Sequence, residues 1–244
     1  MPQAGLMMVT AISSESAQKE PPGAGQPRRV GDNRAFHMDR GSKMNTLEAI
    51  RQRRATKQFD TQHRMTLEEK QALLTIALQG APSAFNLQHW RPLLIEDRAQ
   101  REKIREAAWG QAQVTDASML VVLCGDLSSW ESQVRNVWAE AAEPVQQFMI
   151  PAVDQYYRGK PQVQRDEVMR SSGIFAQTLM LAAKAQGYDS CPMDGFDFDA
   201  VGEIINKPAH YQIALMVAIG KAAGQPYPRI GKLPFDDVVK TDRF

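Results

Sequence analysis

Apolar residues change their spacing several times along the chain, and each change marks an element. Leu47 and Ile50 open an amphipathic helix that runs into the basic stretch Arg51–Arg54. Residues 66–80 predict a second helix, with Thr66 as N-cap and Glu68 and Glu69 in the first turn, where carboxylates meet the positive end of the helix dipole. APSAFNLQHW (81–90) breaks this pattern, and Pro82, Ser83 and Asn86 mark it as a loop. RPLLIED (91–97) reads as a short strand and residues 98–108 as a helix. SMLVVLCGD (118–126) is an unbroken apolar run between polar turns, which suits a strand buried on both faces.

Residues 130–158 predict mostly helix, interrupted near Pro144 and Pro151. Residues 163–187 predict another, whose centre IFAQTLMLAAKA is apolar almost all round, as at the heart of a core or a subunit interface. Gly187 fits its C-cap. Residues 198–206 read as a short helix and YQIALMVAIGKA (211–222) as a final buried strand. The tail 224–244 carries Pro226, Pro228 and Pro234, which exclude a regular helix and predict a path over a surface. Helices around a few central strands, with no internal repeat, predict an α+β fold. Residues 1–43 stand apart. They are rich in Gly, Pro, Ser and Gln without sustained periodicity, and read as an N-terminal extension, with Met38 and Met44 as alternative starts; the folded domain is residues 44–244.

A chain of 244 residues that is 43% hydrophobic can build a real core. Lysine and arginine number 29 against 28 acids, so charge gives no support for a nucleic-acid or polybasic membrane partner. No stretch is long enough to span a bilayer, and the apolar patch GLMMVTAI has no basic region before it, so a cytoplasmic location is expected. Cys124 and Cys191 read as reduced, buried thiols, and the absence of a CxxC or Cys/His cluster speaks against zinc.

The familiar catalytic signatures are missing. There is no GxGxxG with a following ribose-binding acid, no GxxxxGK[ST] loop and no GxSxG elbow. His37, His63, His89 and His210 lack metal-ligand spacing. An enzyme without obvious catalytic side chains suggests a cofactor that carries the chemistry. Four segments are candidates for holding one. RRATKQFD (53–60) brings Arg53, Arg54 and Lys57 together at a helix end, as either a solvated basic turn or an anion clamp. APSAFNLQHW offers small residues that let backbone amides approach a flat ligand, with Asn86 and Gln88 as donors and acceptors. In CPMDGFD (191–197), Pro192 and Gly195 bracket a tight turn that exposes the N–H groups of Asp194 and Gly195. RIGKLP (229–234) adds two cations after the last strand. Each segment alone is equally at home as an ordinary turn or loop.

Together, in this order and spacing, the four resemble the nitroreductase family of flavoproteins over residues 44–244, including GYDSCPMDGFD and the AIGKA…KLP ending. The resemblance implies a mostly antiparallel central sheet flanked by helices, an intertwined homodimer, FMN as cofactor and NAD(P)H as electron donor. It implies that Arg53 binds the FMN phosphate with Arg54 and Ala55 lining the same corner, and that Lys57 sits beside the flavin N1–O2 edge. Pro82, Ser83, Ala84 and Asn86 match the loop that reaches the flavin from the other subunit. Pro192, Met193, Asp194 and Gly195 match the turn whose backbone N–H faces N5, and Lys232 matches a phosphate-binding cation with Arg229 as helper. Ala55 and Ala84 stand where many members have serine. Gly110 stands where many have a flavin-contacting asparagine, for which Gln113 or Gln111 is the substitute. The implied activity is ping-pong reduction of nitroaromatics, quinones or similar flat acceptors. Enone reduction, dehalogenation, flavin degradation, or flavin binding without turnover are the alternatives. Trp90, Phe85 and Trp138 are candidate aromatic walls, with core packing as the competing role.

Overall fold

The computed structural model describes residues 44–244, so the expected N-terminal extension lies outside the described residues. The first helix, α1 (Thr46–Gln52), begins where Asn45 Oδ1 accepts the Glu48 N–H at 3.0 Å. Helix α2 (Leu67–Gly80) starts on a reciprocal box in which Thr66 and Glu69 each satisfy the other's backbone N–H. Then follow β1 (Trp90–Leu94), α3 (Arg98–Ala107), α4 (Gln113–Asp116), β2 (Met119–Asp126), α5 (Ser129–Ser132), α6 (Val134–Val137), α7 (Glu143–Tyr157) and α8 (Pro161–Ala185). The chain closes with β3 (Asp189–Met193), α9 (Phe198–Ile204), β4 (Tyr211–Gly220) and the single turn α10 (Phe235–Val238).

The four strands form one sheet in the order β1-β2-β4-β3, antiparallel throughout. Every residue of β2 is buried, because helices cover both faces of the sheet. Met119, Val121 and Leu123 pack with Leu73 of α2 and with Phe175 and Leu179 of α8. Their neighbours Leu120, Val122 and Cys124 point the other way, to Ile104 of α3, Val114 of α4 and Val201 of α9. The β2–β4 register slips at Leu123/Cys124, whose partners are Leu215 and Ile213. Ala214 is therefore extra, and the bulge turns Ile213 to the same face as Met216. A third cluster, Leu87, Trp130, Val134, Val153 and Tyr157, fastens the loop before β1 to α5, α6 and α7.

Three details depart from the sequence reading. Residues 189–193 form a strand where only a turn was expected; Asp, Ser and Pro are poor strand formers, and Pro192 is tolerated because β3 is a sheet edge. Helix α7 is not interrupted. Pro144 sits in its first turn, where no N–H is needed, and Pro151 is on an exposed face, where water can solvate the carbonyl it leaves without a partner. Helix α8 starts two residues early, since Pro161 occupies its first turn. The tail beyond β4 is exposed almost throughout, as expected, with α10 as its only helical turn among the described residues.

Candidate functional site

The first cationic segment leaves α1 and lies along the β3 edge. Ala55 bridges Ser190 in parallel, the Thr56 N–H donates to Ser190 O at 3.0 Å, and Phe59 bridges Ala222. This pins the backbone between Arg53 and Phe59 and fixes where its cations start. Lys57 Nζ donates to Cys191 Sγ at 3.4 Å. Burial pushes the Cys191 thiol up, partly opposed by the Lys57 and Arg53 charges. The thiol therefore stays neutral and serves Lys57 as a weak acceptor. Arg53 Nη1 and Ser190 Oγ are buried and have no hydrogen-bond partner among the described residues. A buried guanidinium nitrogen without an acceptor is costly, so this corner is built for one.

The tail joins this corner. Arg229 Nη2 donates to the carbonyls of Arg51 at 2.6 Å and Arg53 at 3.1 Å, satisfying the exposed end of α1. Arg51, Arg54, Lys184 and Arg229 line a polar cleft of about 450 Å³, in which Asp189 is paired to Lys184 at 3.0 Å. Lys232 lies on the exposed tail and makes none of the hydrogen bonds found among the described residues.

The turn after β3 is the second part of the same corner. Asp194 is exposed, and its carbonyl accepts the Phe196 N–H at 3.1 Å. Neither the Asp194 nor the Gly195 N–H is a donor among the loop hydrogen bonds of the described residues. Gln111 Nε2 donates to Gly195 O at 2.7 Å, and the buried Gln113 donates its Nε2 to Gln111 Oε1 at 2.9 Å. Of the two glutamines, Gln111 reaches the turn and Gln113 braces it from behind. A Cβ on residue 195 would lie 3.2 Å from Trp109 Cζ3, so glycine is what allows the indole so near the turn. Pro192 and Met193 supply the strand beneath, with Met193 buried in the core.

The loop 81–90 lies elsewhere. Trp90 is level with Gly125 and, across it, Gln212; Ser190 on the opposite edge is level with Ile219. The separation is three strand spacings, about 14 Å, across the sheet and, counted along β2 from Gly125 to Met119, six residues, about 20 Å, along it. Among the described residues no hydrogen bond links Pro82–Asn86 to Arg53–Lys57 or to residues 191–195. The loop is instead bonded to itself and to Trp138. Phe85, Asn86 and Gln88 have φ of 53°, 56° and 49°. Ser83 Oγ accepts the Gln88 N–H at 2.9 Å, and Trp138 Nε1 donates to Phe85 O at 3.2 Å. Pro82 and Asn86 face outward, with Ser83 and Ala84 half-buried.

Of the aromatic candidates, Trp90 is core, 2% exposed against Phe175 at 5.4 Å, and Phe85 and Trp138 pack on the third cluster. Two residues that the sequence reading gave no role stand at the corner. Cys191 was read only as a buried thiol, and its partnership with Lys57 spans 134 positions that no local pattern connects. Trp109 had a local signal: a large aromatic followed by glycine just past a helix end.

Comparison with known proteins adds the family. Residues 50–221 match the model of the nitroreductase family. The chain belongs to the nitroreductase family. Protein DrgA of Synechocystis sp. is 49% identical over 178 residues, covering 73% of this chain and 84% of that protein. An NADH dehydrogenase of Thermus thermophilus is 35% identical over 169 residues, 68% of this chain and 82% of its own length. A solved structure from Exiguobacterium sibiricum, described as a nitroreductase in complex with FMN, is 28% identical with a TM-score of 0.75 and covers 81% of this chain and 97% of its own. Membership places the chain among the oxidoreductases.

Proposed function

We propose that this nitroreductase-family chain is an FMN-dependent oxidoreductase that takes electrons from NAD(P)H and passes them to flat, electron-poor acceptors such as nitroaromatics and quinones. The observation that carries this reading is Arg53 Nη1, buried without an acceptor on a segment whose neighbours Arg51 and Arg54 line a polar cleft with Arg229 and Lys184. The phosphate of FMN, with roughly two negative charges, is the acceptor such a corner fits. The FMN-bound structure of the Exiguobacterium relative supports the choice of cofactor for the same fold.

When bound, FMN supplies the hydride chemistry. The chain's own residues hold and orient it. Arg53 binds the phosphate, with Arg54 and Ala55 at the same corner and Lys232 and Arg229 as tail cations. Lys57, its amine held by Cys191, offers a fixed positive charge to the ring. The N–H groups of Asp194 and Gly195 are left to donate to the ring, and Gln111 with Gln113 keeps that turn in place. Pro82, Ser83, Ala84 and Asn86 complete the site of a second copy, because one chain sets them at the diagonally opposite corner of its sheet. The assembly we propose is a C2 homodimer with two sites at the interface. The tail supports it: Ile230, Leu233 and Phe235 are 92%, 74% and 74% exposed, an apolar surface suited to a partner subunit.

The test is anaerobic. Purified protein is expected to be yellow and to release FMN on acid treatment. NADH or NADPH should bleach it, and menadione should restore the colour. Double-reciprocal plots at several donor concentrations should be parallel, as for ping-pong exchange. FAD in the extract, or no flavin after reconstitution, defeats the reading.

A further inference from the structure

The strongest unexplained feature of the chain is Trp109. It is 72% exposed and has a left-handed backbone, φ 55°, ahead of Gly110 at φ 75°. Glycine or asparagine usually takes that position at a helix end, because a side chain there is strained. The strain is held in place from several sides. The Trp109 N–H donates to Glu106 O at 3.0 Å, the Gly110 N–H to Arg105 O at 2.9 Å, and Arg105 Nε returns to Gly110 O at 3.1 Å. Arg105 Nη1 is itself tied to Thr115 at 3.0 Å. A fixed backbone thus projects a large aromatic ring into solvent, and that ring closes on the turn at Gly195, where the missing Cβ makes room for it. Gln111, two residues on, holds the carbonyl of the same glycine.

Strain kept at an exposed aromatic beside a binding turn points to a ligand-facing role. We propose that Trp109 is a specificity-determining residue: its indole forms a preset wall against which the ring of an aromatic acceptor stacks at the mouth of the site. The inference rests on the FMN reading above, since it is the Asp194–Gly195 turn that locates the mouth. An edge or offset stack of this kind favours flat π-systems over compact inorganic acceptors.

The experiment uses oxidised, FMN-loaded enzyme without electron donor, titrated with menadione and followed by the perturbation of flavin absorbance. Trp109→Ala is expected to weaken menadione binding about 3- to 10-fold, the usual range for loss of an aromatic pair. Trp109→Phe should restore it to within about twofold. In turnover, kcat/KM for menadione should fall in parallel, while that for ferricyanide, which has no ring to stack, stays level. Trp109→Gly, which suits the backbone, should keep full flavin content, melt no lower than the parent, and bind menadione as poorly as the alanine variant. Unchanged menadione binding in flavin-replete Trp109→Ala and Trp109→Gly overturns the proposal alone. Loss of flavin from Trp109→Gly also overturns it, by making the indole part of the cofactor's own seat. Absence of flavin from the parent protein removes both readings together and is distinguished from these at the first spectrum.

Discussion

At the β1 corner of the sheet the polar groups find partners within the chain, Ser172 Oγ beside Gly125 excepted, while at the β3 corner a guanidinium nitrogen and a hydroxyl do not. Around β1, Ser83 binds the Gln88 N–H and Trp138 binds Phe85 O. Buried His89 lies between Tyr157 Oη at 3.4 Å and Ser171 Oγ at 3.3 Å, and Arg91 meets Asp126 at 3.2 Å. Around β3, Arg53 Nη1 and Ser190 Oγ are buried and unpartnered, four cations share one cleft, and Trp109 is strained and exposed. Buried polar groups are normally satisfied, so the first corner, one hydroxyl apart, is a finished structural unit, and the unpartnered guanidinium nitrogen of the second supports the proposal that a cofactor completes it. A finished corner makes a rigid loop to present outward. An unfinished one makes a socket.

The largest expected effect breaks the finished corner with acid. Burial, with the Arg91 charge adding and Asp126 opposing, pushes His89 down from 6.5 to about 4. The folded value lies below the unfolded one, so the neutral ring's contribution is complete above about pH 6.5, declines as pH falls, and is gone below about pH 4. The amount at stake is about 3 kcal/mol. Urea unfolding should show stability falling between pH 7 and pH 4.5, and His89→Gln should flatten that slope even if it lowers stability at pH 7. Equal slopes in the two proteins would remove His89 as the cause.

The socket should break with loss of its principal cation. Arg53→Ala is expected to weaken FMN binding by about 1.5–3 kcal/mol, the worth of a hydrogen bond to a charged group. This is roughly a 10- to 150-fold rise in Kd, read from flavin retention on dilution. Lys232→Ala should do less, since lysine brings a point charge without a fork and Lys232 starts from an exposed tail. Retention in Arg53→Ala equal to the parent's would show that the unpartnered nitrogen is not the phosphate's donor.

The same contrast explains what the sequence made legible. The finished parts were local: the Thr66–Glu69 cap, the unbroken apolar run of β2 and the apolar centre of α8 each announce themselves within a few residues. The segments of the socket were visible as cation runs and turns, but their meeting was not, because Ala55 joins Ser190 and Arg229 joins Arg53 only through the fold. β3 was hidden because its composition is that of a turn and only its pairing with β4 makes it a strand. Trp109 was passed over because an exposed aromatic has no period to belong to. Its left-handed φ, which gives it meaning, is a property of the structure and not of the letters.

The smallest expected effect decides whether the two corners serve one another. Asn86 is exposed at the tip of the finished loop, with φ 56°, and its truncation should cost a site about 0.5–1.5 kcal/mol, as one hydrogen bond does. If the corners of two subunits meet, that cost falls on the partner's site. A mixed dimer pairing an Asn86→Ala subunit with an Arg53→Ala subunit separates the cases, because each chain brings one lesion. Where sites cross the interface, one site combines the wild-type Arg53 of the first chain with the wild-type Asn86 of the second, and the other carries both lesions. About half of the parent activity should then survive, from one intact site. Where each site is built within a single chain, both sites carry one lesion and activity falls well below half. The diagonal separation of the loop from Arg53 leads us to expect the first result. A yellow, active monomer in light scattering at micromolar concentration would contradict it without any variant, since one copy would then supply every contact from a single corner.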